Sequence, residues 1–113
     1  MSDATRRPVE IAILLFPQAQ LAAVHGLSDL FAFADSLARA RLGIQAGLLR
    51  VSHFSLGAGG VPQRGFDTLP GADTEPTVVI VPPIHHGPDI AGDTAALVAW
   101  LRARHAAGAT LAS

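Results

Sequence analysis

The sequence predicts an α/β domain with a mainly parallel sheet, and three observations predict it. Val9 to Phe16 is a nearly unbroken apolar run stopped by Pro17, the pattern of a strand buried on both faces. Directly after it the apolar spacing turns helical, through Leu21, Val24, Leu27, Leu30 or Phe31, Ala34 and Leu37, so that one helix face turns inward. The same strand-then-helix succession returns later, in Thr77 to Val81 followed by Leu97, Val98, Trp100 and Leu101. Strands that alternate with helices build parallel sheets.

Each element follows from local signals. Met1 to Arg7 is polar, and residues 1–8 are expected to be disordered, as exposed termini commonly are. The first strand ends at Pro17, which cannot donate to a sheet ladder. The first helix is expected from about Gln20 to Arg41, closed by Gly43 as a left-handed cap. Gly26 inside it costs about 1 kcal/mol relative to alanine, which suggests a close approach by another backbone. Leu48 to Leu56 is the second strand, with one face more apolar than the other. Gly57-Ala58-Gly59-Gly60 follows, but no helix begins inside these glycines, so they do not form a dinucleotide fingerprint. They read as a flexible turn into a short hairpin, Val61-Pro62 and then Phe66 to Leu69.

Pro70 to Pro76 is a loop. Thr77 to Val81 is β-branched and reads as a third buried strand. Asp93 or Thr94 can cap the second helix, Gly108 closes it, and Ala109 to Ala112 starts a last strand. The order is β-α-β-(hairpin)-β-α-β.

Composition narrows the function classes. The 113 residues suit one domain with a modest core. Half are apolar and 15% are charged, a balance that argues against disorder. The eight basic residues are all arginine, spread along the chain and offset by nine acids. That spread lacks the basic footprint of a nucleic-acid-binding surface, and Arg6, Arg7, Arg102 and Arg104 read as solvated ends of elements. No cysteine is present, which removes disulfides, thiolate metal sites and a cysteine nucleophile from these residues. No signal-peptide pattern precedes Pro8, and Ile11 to Phe16 is too short to span a bilayer. The expectation is a cytoplasmic protein with no membrane contact.

In open parallel sheets, ligands bind at the carboxyl ends of the strands. That rule draws attention to the turn after Phe16 and to Ile84-His85-His86 after the third strand. Adjacent histidines in an extended loop point apart and do not readily grip one metal, even with His25 as a third ligand. They read as exposed loop residues, with pocket lining as the alternative. His53 and His105 read as exposed or satisfied by a neighbour. Ser28 and Ser113 lie in no nucleophile motif. Asp29 and Asp35 fall on the polar side of the first helix, and Trp100 reads as a core or dimer anchor.

Taken together, IAILLFPQAQL, HGLSDLFAFAD, FSLGAGGVPQRGFDTLP, VVIVPP and LVAWLRARHAAGATLAS resemble the ThiJ/PfpI superfamily, also described as class I glutamine-amidotransferase-like. Within it they look most like the N-terminal domain of AraC-type transcriptional regulators. The resemblance runs from Val9 to Ser113. It implies a flavodoxin-like sandwich with helices on both faces of the sheet, usually dimeric, followed in full-length regulators by paired helix-turn-helix motifs. Residues 9–113 would then be a partial domain, truncated on its C-terminal side.

Enzymes of that superfamily use a cysteine on a strand-to-helix elbow, an acid on the first helix, and backbone N–H donors near a Pro-Gly-Gly turn. This chain departs at each position. Ala23 stands at the acid position, Pro83 stands where the first glycine of the turn would be, and the elbow cysteine would fall just after Ser113.

The resulting expectation is a non-catalytic ligand-sensing and dimerisation domain. Its pocket is framed by Pro17, Gln18, Ala23, His25, Pro83, Ile84 and His85, with no catalytic residue, metal or cofactor. The ligand is an unidentified small molecule, and the partner is a second copy of the chain. DNA is contacted only through a helix-turn-helix part outside these residues. The alternatives are an enzyme of the same superfamily (hydratase, glyoxalase-like or amidase) whose nucleophile lies past Ser113, and a stand-alone binding or oligomerisation module.

Overall fold

A computed structural model of the chain describes residues 7–83 and 94–113. It contains β1 (Val9–Leu15), α1 (Leu21–Leu42), β2 (Leu49–Leu56), a 3-10 turn (Ala58–Gly60), β3 (Pro62–Asp67), β4 (Pro76–Ile80), α2 (Ala95–Ala106) and β5 (Thr110–Ala112). The strands form one sheet in the order β3-β2-β1-β4-β5. All neighbours are parallel except β2 and β3. The α/β expectation therefore holds, with a mixed, mostly parallel sheet of five strands.

β1 is the central strand, and its middle is the most deeply buried part of the sheet. Ala12, Ile13 and Leu14 are almost fully enclosed, packed with Val24, Val51 and Val79. Neighbouring residues of a strand point to opposite faces. His53 contacts Ser28 of α1, and Phe54 contacts Trp100 of α2 with ring centroids 5.1 Å apart. The two helices therefore cover opposite faces of the sheet. Trp100 is a half-buried packing residue here.

The boundaries of α1 match the expected ones to within a residue. Gly43 sits at φ 68° as its left-handed cap and donates its N–H to the Arg39 carbonyl. The inward face of α1 is corrected in part. Val24, Leu27 and, of the two alternatives Leu30 and Phe31, Phe31 pack inward as expected, but Leu21, Ala34 and Leu37 are exposed. Two polar residues occupy the docking line instead. Ser28 is buried, and Asp35, assigned to the polar side by its charge, accepts the Leu48 and Leu49 N–H groups at 2.7 and 2.9 Å. A charge-assisted pair of hydrogen bonds compensates the partial burial of the carboxylate. Gly26 is a second correction: no other part of the described chain lies within 4 Å of where its Cβ would be. The close approach expected there is absent.

The segment after β2 is also rearranged. Val61–Leu69 is not a hairpin of its own. Pro62–Asp67 is a single strand paired antiparallel to β2, and the glycine cluster makes the connection, with Gly59 and Gly60 at φ 72° and 79°. Covering by this strand and by both helices buries the two faces of β2 alike, including Ser52 and His53.

Thr94 precedes α2 without a side-chain cap, and Gly108 follows it at φ 103°. The alternative cap, Asp93, lies outside the described residues. Arg102 is exposed as expected, whereas Arg104 is half-buried against Glu75 at 3.0 Å. β5 is an exposed edge strand on β4.

Candidate functional site

The carboxyl end of β1 opens into a cavity of about 1130 Å³. The chain makes it by breaking β1 at Pro17 and re-entering as α1. Between the two, Ala19 donates its N–H to the Phe16 carbonyl at 2.9 Å, a tight turn that buries Phe16 and Ala19. Gln20 then donates to the Pro83 carbonyl at 2.9 Å and so fastens the turn to the end of the β4 segment. Residues 15–22 line the cavity from this side, and Ser55 and Leu56 at the end of β2 line it from the other.

Its described walls are mostly apolar and carry no formally charged side chain. Their polar groups are the Gln18 and Gln20 amides, the Ser55 hydroxyl, and the start of α1. The first intrahelical bonds run from the Ala23 and Val24 N–H groups to the Gln20 carbonyl. Gln20 offers no side-chain cap, and the first turn has no acid. The N–H groups of Leu21 and Ala22 therefore lack an intrahelical acceptor, as the first donors of any helix do, and they stand in the cavity wall. Oε1 of Gln18 is buried without a hydrogen-bond partner among the described residues. Such a cavity suits an uncharged, largely apolar ligand, because burying an ion without a counter-charge is costly.

The expected pocket residues divide into three groups. Pro17 and Gln18 line the cavity. Pro83 is joined to it through its carbonyl bond to Gln20. Ala23 is half-buried just past the lining, and His25 lies further along α1, exposed and facing His53. Ile84 and His85 lie outside the described residues, as does His86. Leu21, Ala22, Ser55 and Leu56 belong to the walls and were not anticipated. The last two follow once β2 is known to run parallel beside β1, because its carboxyl end then shares the same crevice.

A second polar cluster lies between α1 and the sheet. The Ser28 hydroxyl approaches Nε2 of His53 at 2.6 Å and also bonds the Val24 carbonyl at 2.9 Å. His53 is buried, with Phe66 and His25 beside it at ring-centroid distances of 4.6 and 5.9 Å. Burial first, and then the proximity of His25, push its pKa below the ordinary histidine value. The reading of His53 as satisfied by a neighbour holds; the exposed alternative does not. Among the described residues no carboxylate orients this pair as the third member of a hydrolytic triad would.

The amino end of the sheet holds an ionic cluster that sequence reasoning missed. Glu10 is fully buried and accepts from Arg64 Nε and a terminal Arg64 nitrogen at 2.9 Å each, from Ser52 at 2.7 Å and from Thr74 at 2.9 Å. Arg50, also buried, forks onto Asp67 and bonds the Ala72 carbonyl. The Arg50 hydrogen bond holds the Asp67 carboxyl below the usual carboxylate range against the opposing effect of burial, and the Asp67 hydrogen bond raises Arg50 in turn. Every carboxylate here has its counter-charge, so this end reads as structural.

Among the described residues no group of three or more His, Asp or Glu side chains could hold a metal ion. α1 is long and apolar enough to cross a membrane by length and composition, with 11% of its most apolar window buried. Comparison with known proteins gives no matching family model, no matching curated protein and no matching solved structure.

Proposed function

We propose that this chain is a small-molecule-sensing domain that takes an uncharged, largely apolar ligand at the carboxyl end of β1. The observation that carries this reading is the apolar cavity between the Phe16–Ala22 turn and Leu56. It has the size and lining of ordinary ligand sites, and it occupies the crevice that parallel sheets use for binding. Its chemistry favours binding over turnover. Ser55 is the one hydroxyl among the described lining residues, and no His, Asp or Glu stands beside it there to activate it. The sequence resemblance extends the proposal to a sensor domain of an AraC-type transcriptional regulator, dimeric and cytoplasmic, with DNA contacted by a separate helix-turn-helix part. α1 supports a docked rather than a membrane-crossing helix, because Ser28 and Asp35 tie it to β2.

Two experiments test the two levels. A library of neutral apolar compounds screened by amide NMR should give ligands whose shifts centre on Phe16–Ala22 and Leu56. A screen in which no compound perturbs these residues ends the sensing assignment. The coding sequence past Ser113 should encode paired helix-turn-helix motifs, and a gene without them removes the regulator assignment while leaving the binding site standing.

A further inference from the structure

We propose that His53 is a pH-responsive clasp that holds α1 against the sheet at neutral pH and loosens it on acidification. α1 is 22 residues long, yet only Val24 and Ser28 are buried within it. Its contact with the sheet is narrow, and Ser28 against His53 lies at the centre of that contact. The hydroxyl of Ser28 can donate to the Val24 carbonyl while Nε2–H of His53 donates to the hydroxyl oxygen, so the neutral imidazole satisfies both partners.

Protonation adds a proton at Nδ1 and leaves the Nε2–H bond to Ser28 in place, so what a charged ring lacks in this buried position is a counter-charge. Facing His53 are Ile13 from β1, Phe66 from β3, and Ser28 and His25 from α1. The nearby carboxylates are engaged elsewhere. Asp35 is bound to Arg39 and to the start of β2, and Glu10 and Asp67 belong to the arginine cluster on the opposite face. A charge on His53 therefore meets the His25 ring, an apolar ring and an aliphatic neighbour, and no ion-pairing carboxylate among the described residues.

Histidine is the side chain suited to such a switch near neutral pH. The sign follows from linkage. The docked state favours neutral His53, so docking is complete above the ordinary histidine value of 6.5 and weakens as pH falls below it. Because Leu21 and Ala22 of α1 wall the cavity, loosening α1 also reshapes the ligand site. That consequence rests on the sensing assignment; the clasp itself does not.

The test is hydrogen exchange of the whole chain, corrected for intrinsic rates, from pH 7.5 to 5. Amides of α1 from Val24 to Asp35 should exchange faster as pH falls below 6.5, by at most about tenfold per pH unit for one proton. Amides of α2 should not follow. His53→Gln, which keeps a hydrogen-bonding group beside Ser28 but cannot titrate, should abolish the pH response, and His25→Gln should reduce it. An unchanged response in His53→Gln, or parallel acceleration of α1 and α2, overturns the proposal. Should His53→Gln fail to fold, the ring protons of His53 in the unaltered chain decide: titration below 6.5 supports the clasp, and titration at or above 6.5 overturns it. No ligand enters these measurements, so their outcome is independent of whether the cavity binds one.

Discussion

The two ends of β1 solve opposite problems. At the amino end Glu10 is fully buried and surrounded by donors from Arg64, Ser52 and Thr74. At the carboxyl end the strand stops at a proline, and the residues after it leave an apolar hollow with an amide oxygen and two helix donors that have no partner among the described residues. One end has matched charges; the other has an apolar cavity whose described walls carry no charge. Buried ionic groups must be paired to be tolerated, so the amino end is committed to holding the fold. The carboxyl end leaves volume and polar groups open among the described residues, which is what the proposed ligand would fill.

This contrast can be broken from either side. The largest effect is expected at Glu10. Glu10→Gln leaves Arg64 without its counter-charge, while Arg50 keeps Asp67, and should cost about 3 kcal/mol of unfolding free energy in urea titration, as breaking a buried pair does. A loss below the measurement error would show that the amino end is not a structural anchor.

Asp67→Asn breaks the other half of the cluster and changes the response to acid. The Asp67 pKa is lowered in the fold, so its stabilisation is present above about 3.8, the ordinary value, and is lost as pH falls through the folded value. The unaltered chain should therefore lose stability in this acid range, and the variant should lose correspondingly less, seen as converging denaturation midpoints.

Asp35→Ala removes the acceptor for the Leu48 and Leu49 N–H groups and should cost about 1–3 kcal/mol. Ser28→Ala should cost about 1 kcal/mol. The smallest effect belongs to the cavity. Ala22→Trp places bulk at an exposed wall and should change stability by no more than about 0.5 kcal/mol, while ligand uptake is lost.

Much of the frame was legible in the sequence because it rests on apolar runs and chain breakers. Val9 to Phe16, Pro17, Gly43 and Thr77 to Val81 mark elements by hydrophobicity and backbone restriction alone, and the structure places those elements within a residue or two of the expected bounds. The polar half was not legible. Glu10 looks like a surface acid near the start of a strand, and only the later arrival of Arg64 and Thr74, 54 and 64 residues away in sequence, explains its burial. Asp35 and Ser28 interrupt the apolar pattern of α1, so hydropathy found Val24, Leu27 and Phe31 on the inward face but missed the polar residues between and beyond them. Their partners, the start of β2 and His53, are fixed by sheet pairing and not by local sequence. The cavity was half legible: the break at Pro17 marked its first wall, and the wall at Ser55 and Leu56 depended on knowing which strand lies beside β1.

The most direct test is an amide and methyl NMR titration with indole, a neutral apolar probe, run on the unaltered chain and on Ala22→Trp. The account predicts saturable shifts confined to Phe16–Ala22, Ser55 and Leu56, absent from Glu10, Arg50 and Asp67, and abolished in the filled variant. Shifts that fall elsewhere, or that persist unchanged in Ala22→Trp, would contradict it.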